Sequence, residues 1–245
     1  MKPTLLQLLR DGVIPEQLNQ ISSDEQRSVE SLAEDILRGS TVVPAGNSGR
    51  YVRPTGIGIG LGTKFNANIG SSSESVSETA ELEKLRAALH AGADAVMDLS
   101  SGGDVKALRR TLLAACDIPF GTVPVYEATV AAREKSGSMV TMDVDDFMSV
   151  VEHQASEGVD FMTIHAGLTR SALDELQAQG RLMDVVSRGG AFMIAWMLHH
   201  DRENPFYEHF DQLLEIMIRW DVTLSLGDGL RPGCLVDASD RAQFS

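Results

Sequence analysis

The sequence predicts an α/β fold: a TIM-type (β/α)8 barrel, incomplete in this chain, with a small N-terminal helical segment. Two observations predict it. From residue 64 onward, short apolar runs alternate with amphipathic helical stretches, a rhythm that implies a parallel sheet. Polar residues then cluster at the C-terminal ends of nearly all those runs: Asn68, Met97-Asp98, Tyr126, His165, Ser187-Arg188 and Asp228 to Arg231. A barrel brings every strand end to one mouth. An open doubly wound sheet gathers only the ends beside its switch point, so this distribution favours the barrel.

Taken in order, residues 3 to about 38 read as helices, with Leu5, Leu6, Leu8 and Leu9 on one apolar side. Leu18, Ile21, Val29, Leu32, Ile36 and Leu37 form a second, looser one. Residues 41–63 are rich in Gly, Pro, Ser and Thr and read as an extended connector. The chain therefore divides into 1–63, helical segment and connector, and 64–245, partial barrel. Strands are predicted at 65–69, 95–99, 118–125, 161–164, 183–186 and 222–226. Helices are predicted at about 76–91, 105–115, 126–133, 145–156, 168–179, 190–200 and 205–219. Ser75-Val76-Ser77-Glu78 fits a capping box, and Asn204-Pro205 supplies a cap and a helix-starting proline. A closed barrel needs eight strands. Six are visible, and residues 237–245 leave room for part of one helix. The expectation is an unclosed barrel with an uncovered parallel edge.

Composition excludes several function classes. The net charge of −14 and pI near 4.8 argue against wrapping nucleic acid or binding an anionic membrane surface. No apolar stretch approaches a membrane span, and the N-terminus lacks the apolar core of a signal peptide, so a cytoplasmic location is expected. Cys116 and Cys234 form no CxxC pair; both read as buried or loop thiols rather than a disulfide framework.

The most informative run is Leu224 to Gly233, an apolar strand entering a glycine-rich loop that carries Asp228 and Arg231. Glycine permits close backbone approach, and arginine offers a planar fork for phosphate or carboxylate. A local Asp228–Arg231 salt bridge is the alternative. Ser187-Arg188-Gly189-Gly190 precedes a helix and reads either as an anion cradle or as a plain cap. His165 ends a strand as an acid, a base or a ligand to substrate, or as a structural histidine satisfied by carbonyls. Asn68 suits a heteroaromatic ligand or a turn before Gly70. Tyr126 presents a hydroxyl to the mouth or packs its ring. His199-His200 are adjacent on a helix and point apart, a poor metal pair. The Gly56–Gly62 run opens no helix and is no dinucleotide fingerprint. Asp143 to Asp146 is most simply a solvated helix start.

Asn66-Ala67-Asn68-Ile69-Gly70, Val96 to Ser100, Gly121-Thr122-Val123-Pro124, Gly158 to Phe161 with Thr163 to Gly167, Val186 to Gly190, Glu203-Asn204-Pro205 and Ser225 to Gly233 occur in this order. With them the chain resembles the thiamin pyrimidine synthase family, from about residue 56 to the last residue. The resemblance implies a non-standard radical S-adenosylmethionine lyase of thiamine biosynthesis. In that family a 4Fe-4S cluster cleaves the cofactor, and the deoxyadenosyl radical rearranges 5-aminoimidazole ribotide to hydroxymethylpyrimidine phosphate. It implies a divalent metal, zinc or iron, and a homodimer. It places substrate contacts on Asn68, Met97, Tyr126, His165, Ser187, Arg188, Gly189, Asp228, Gly229 and Arg231. Of these, Arg231, Arg188 and the Gly189 amide are expected to meet phosphate or ribose oxygens, and Asn68 and His165 to orient the imidazole. Catalytic acid and base are left unassigned.

The departures from the family are specific. Its glycine-proline-glycine-histidine loop, its further metal-binding histidine and its CxxCxxxxC cluster segment are missing from the sequence. The chain alone is therefore expected not to perform radical chemistry, as a fragment or as a paralogue that has lost it. Ala191 replaces an expected Ser, and Gly46-Asn47-Ser48-Gly49-Arg50 replaces an Asn-rich stretch. Both differences favour a paralogous branch that carries the same ribotide to 5-hydroxybenzimidazole, towards the lower ligand of cobalamin. A non-catalytic ribotide-binding protein and a phosphosugar lyase alike only at the binding loops are the competing readings.

Overall fold

The computed structural model describes residues 2–46 and 48–245; Met1 and Asn47 lie outside the described residues. Three short helices open the chain: α1 (Leu5–Arg10), α2 (Gln17–Glu25) and α3 (Val29–Leu37). Their apolar sides meet, and Leu9, Leu18, Ile21, Leu32, Ala33 and Ile36 form a buried cluster. Thr4 starts α1 with a reciprocal capping box: the Gln7 amide donates to Thr4 Oγ1 at 3.1 Å and the Thr4 amide to Gln7 Oε1 at 2.8 Å. In the connector, β1 (Thr41–Val42) and β2 (Ile57–Gly58) pair antiparallel, a small sheet that the glycine-rich composition concealed. A Cβ on Gly58 would lie 2.2 Å from Thr41 Oγ1, so only glycine admits this pairing.

Beyond the connector come β3 (Asn66–Ile69), α4 (Glu78–His90), β4 (Ala95–Asp98), α5 (Val105–Ala115), β5 (Phe120–Thr122), α6 (Pro124–Ser136), α7 (Val144–Glu157), β6 (Phe161–Ile164), α8 (Arg170–Gln179), α9 (Arg188–His200), α10 (Pro205–Glu208), α11 (Phe210–Trp220), β7 (Thr223–Leu226) and α12 (Arg241–Phe244). The five-stranded sheet has the order β3-β4-β5-β6-β7, and its first four strands pair parallel. Spatial order follows chain order without reversal. That is an arc of a (β/α) barrel, since a doubly wound sheet would reverse at its switch point.

Several predicted elements are corrected. Residues 183–186 form no strand: Asp184 sits at φ +51°, and the Asp237 carboxylate takes the N–H groups of Leu182 and Met183. The run 118–125 divides because Pro124, lacking an N–H, begins α6. The capping serine of α4 is Ser77, which accepts from the Ala80 amide at 3.2 Å; Ser75 is engaged in a backbone bridge with Ser72. The stretch 205–219 is two helices, α10 and α11. Asp143 and Asp146 do start α7 reciprocally, each carboxylate accepting the other's amide.

Two compact units divide the chain: Met1–Thr122 with Glu152–Met162 and Glu215–Leu224, and Val123–Val151 with Thr163–Leu214 and Ser225–Ser245. In the first, the residue opposite Met97 on β5 is Gly121. A Cβ there would lie 2.2 Å from the Phe161 ring, so any side chain at that point would displace the ring. No described helix is long and apolar enough to cross a membrane.

The hub of the first unit is Asp160, which is 1% exposed. Its carboxylate accepts from the amides of Phe120 at 2.8 Å and Gly46 at 3.0 Å and pairs with the Arg50 guanidinium. Arg50 also donates to the carbonyls of Cys116 and Gly158. One buried carboxylate thus ties the connector to the start of β5. Burial pushes its pKa up to about 6, against the opposing pull of Arg50 and the two amides. Replacing Arg50 with Met leaves that carboxylate without its cation and should lower the unfolding free energy by about 3 kcal/mol. Urea denaturation near neutral pH reads the difference, and a change within the scatter of surface pairs would show the hub to be dispensable.

Candidate functional site

The second unit holds eight of the sequence-predicted residues. At the end of β6 the chain turns through His165 to Thr169, where Thr169 caps α8. Asn204 fixes this turn. Its Nδ2 donates to the carbonyls of His165 at 2.7 Å and Leu168 at 2.9 Å, while its Oδ1 accepts the Phe206 amide at 3.0 Å. The side chain read as a helix cap is therefore also the clamp of the His165 loop, and it is fully buried.

Glycines bring two segments onto that loop. A Cβ on Gly189 would lie 2.2 Å from His165 Cε1, and one on Gly227 would lie 3.0 Å from His165 Cδ2. The imidazole is thus flanked by backbone at the start of α9 and just past β7. A Cβ on Gly190 would lie 2.1 Å from the Gly229 carbonyl oxygen, so the α9 N-terminus and the 227–233 loop also abut directly. His165 is 5% exposed, and its Nδ1 has no hydrogen-bond partner among the described residues. The reading of a structural histidine satisfied by carbonyls does not hold at that atom. Burial, then the nearby positive charge of Arg231, lowers its pKa to about 4, with Asp228 opposing. The ring is neutral near pH 7 and has one buried nitrogen to offer.

Arg231 and Asp228 are the charged residues that act on the ring. Ser187 Oγ accepts the Gly190 amide at 3.1 Å and is 1% exposed, so Ser187 is the cap of α9. Arg188, the first residue of α9, lies with its guanidinium carbon 5.3 Å from the Tyr126 ring centroid. Tyr126 packs edge-on against Phe192 at 6.1 Å. Burial raises the pKa of its hydroxyl, with Arg188 and Arg231 pulling the other way. Arg231 Nη1 donates to Asp228 Oδ1 at 3.0 Å, with the side chains 48% and 68% exposed. The local salt bridge is real but solvated and weak, leaving both groups open to exchange with a ligand. A neutral buried imidazole flanked by glycine backbone, with the charge of Arg231 nearby and Arg188 opening the adjoining helix, can receive an anion that carries a heterocycle.

In the first unit, Asn68 and Met97 are register partners on β3 and β4. Asn68 is exposed and accepts from Asn66 Nδ2 at 2.9 Å, so it lies on the strand face and makes no turn. Elsewhere, His200 Nε2 meets the Val140 carbonyl. Cys116 is buried and free, and Cys234 is half-buried and free.

The sequence pattern of the Radical SAM ThiC family matches residues 4–245. The chain belongs to that family. It is 52% identical over 241 residues to a phosphomethylpyrimidine synthase of Moorella thermoacetica, covering 98% of this chain and 56% of that protein. It is 53% identical over 232 residues to one of Desulforudis audaxviator, covering 95% and 54%. A third, of Desulforamulus reducens, is 50% identical over 235 residues, covering 96% and 54%. The chain spans about half the length of these relatives. Membership of the Radical SAM ThiC family reaches back to residue 4, well before the resemblance that starts near residue 56, and is not confined to binding loops.

Radical S-adenosylmethionine chemistry needs a cluster held by thiolates. This member of the ThiC family has two cysteines, one donating to the Ile118 carbonyl and the other to Asp237. Among the described residues no three His, Cys, Asp or Glu side chains gather to hold a metal. The residues present do not fit the cluster or the divalent metal. Sequence reasoning took Asn204 for a helix cap and missed it as a clamp. It read Gly190 as part of an anion cradle and Gly227 as part of a glycine-rich loop open to close approach, and missed that they meet Gly229 and His165.

Two outcomes follow from this geometry. The unfolded imidazole titrates near 6.5 and the folded one near 4, so the unfolded chain binds more protons between those values. Stability from His165 is full above pH 6.5 and falls toward pH 4, by about 3 kcal/mol over the interval. Unfolding free energies measured between about pH 7 and about pH 4.5 should therefore fall more steeply for the wild type than for His165→Leu; equal slopes would refute the assignment. Asn204→Leu strands two carbonyls and an amide and should cost about 3 kcal/mol, read from the denaturant midpoint.

Proposed function

We propose that this chain is the ribotide-binding portion of a radical S-adenosylmethionine lyase that converts 5-aminoimidazole ribotide to hydroxymethylpyrimidine phosphate in thiamine biosynthesis. The observation that carries the reading is about 50% identity, across nearly the whole chain, to proteins named phosphomethylpyrimidine synthase. The second unit supports it with a site of the right chemistry. Arg231, Arg188 and the Gly189 amide take the phosphate and ribose oxygens. Asp228 releases Arg231 to the ligand and accepts from a ribose hydroxyl, and Tyr126 holds Arg188 by its ring face. Gly229 and Ser187 keep the backbone close enough for those amides to reach. His165, neutral and with a buried free nitrogen, orients the imidazole through one hydrogen bond. For Asn68 and Met97 the assignment rests on the resemblance alone.

The chain's two thiols make no cluster site, so the chemistry assigned to it stops at holding and orienting the ribotide. Residues 64–245 are proposed as the substrate-binding portion. A cytoplasmic homodimer belongs to the same proposal. The 5-hydroxybenzimidazole reading rests on Ala191, which is exposed on α9, and on the 46–50 stretch. Within that stretch Gly46 and Arg50 hold Asp160, a structural duty. Product analysis of the full-length enzyme with the ribotide separates the two.

The direct test is calorimetry of this chain with 5-aminoimidazole ribotide. Arg231→Ala should abolish measurable binding, losing at least about tenfold in affinity. Unchanged affinity would remove Arg231 from the site.

A further inference from the structure

Residues 227–240 leave β7 and run past the start of α9 as an irregular strap. The strap is held upstream by the Gly227 amide, which donates to the Ile164 carbonyl at 2.8 Å. Midway, a Cβ on Gly233 would lie 2.6 Å from Val186 Cγ1 and 2.8 Å from Met183 Cβ, so the strap lies directly on the residues that precede α9. Downstream, the Asp237 carboxylate accepts the amides of Leu182 and Met183, both at 2.8 Å. Arg181 donates through Nε and Nη2 to Asp240 at 2.5 and 2.8 Å, and the two side chains are 0% and 3% exposed.

The mid and downstream anchors fall on residues 181–186, which lead without a break into Ser187, Arg188 and Gly189. Two irregular segments with no shared strand ladder have no backbone means of fixing their relative register. Buried carboxylates that take amides and a bidentate arginine supply it. A buried ion pair of this kind adds little net stability over apolar replacements, and its best-attested use is in setting register. Arg231 and Asp228 are exposed side chains riding on the strap between these anchors.

We propose that Asp237 and the Arg181–Asp240 pair are positioning residues. They hold the strap in register with the α9 N-terminus and so set the spacing between Arg231 and the Arg188–Gly189 end of the ligand site. The proposal rests on the ribotide reading above. Cys234 reports on it from within: its thiol donates to Asp237 Oδ2 at 3.3 Å, whereas Cys116 is buried.

The test compares Asp237→Asn, Asp240→Asn and Arg181→Lys with a control, Arg27→Met, which breaks the Arg27–Asp35 pair of the N-terminal helices. Ribotide affinity is measured by calorimetry well below the unfolding midpoint. The rate of Cys234 modification by an aromatic disulfide reagent is measured with and without ribotide. Both Asn variants should bind about tenfold more weakly, Arg181→Lys by less, and the control as the wild type does even where its midpoint falls as far. Ribotide should slow thiol modification in the wild type, and that protection should be lost in the Asn variants. If an Asn variant fails to fold, Arg181→Lys carries the comparison, since it keeps the charge and loses the fork. Unchanged affinity, or affinity that tracks the midpoint across all variants including the control, overturns the proposal. If the wild type binds no ribotide, the functional reading fails on its own. The strap is then judged by thiol reactivity without ligand: faster modification in Asp240→Asn upholds it, and an unchanged rate overturns it.

Discussion

Direct backbone-to-ring and backbone-to-backbone contact around His165 is the constraint on which the candidate site depends. Gly189 and Gly227 flank the imidazole, and Gly190 meets Gly229. Any side chain at the first or third of these positions would force the α9 N-terminus away from its neighbours. That closeness buries the ring and depresses its pKa. It also brings the helix that begins with Arg188 against the loop that carries Arg231. The burial of the ring and its lowered pKa share one steric cause.

The site is built from irregular backbone, and irregular backbone has to be held by side chains. Asn204 performs this for the His165 loop, with both amide atoms engaged and no exposure. Asp237 and the Arg181–Asp240 pair do so for the strap. Asp160 does the same in the first unit, where it ties the connector to the start of β5. In each case a buried polar side chain satisfies backbone groups that no ladder reaches, which is how a loop becomes rigid enough to present a ligand site.

Family membership and the chemistry held by this chain are separate matters. The ThiC pattern runs through residues 4–245, yet the thiols lie one in a buried helix end and one against Asp237. What these residues show is a buried neutral imidazole set among glycine backbone and near an exposed arginine. Among the described residues no three His, Cys, Asp or Glu side chains gather to hold a metal.

The sequence by itself determined the α/β class, the parallel rhythm and the loops that carry His165, Ser187-Arg188 and Asp228–Arg231. Periodicity, capping residues and glycine placement are local properties, legible in a short window. It misjudged residues 183–186 as a strand because apolar content does not reveal that a carboxylate more than fifty residues later takes the amides of Leu182 and Met183. It could not say whether Asn204 did more than cap a helix, or that the glycines at 189, 190 and 227 stand against His165 and Gly229. Those answers depend on which backbone lies within a few ångströms, and only the tertiary structure brings residues 165, 189, 204 and 229 together.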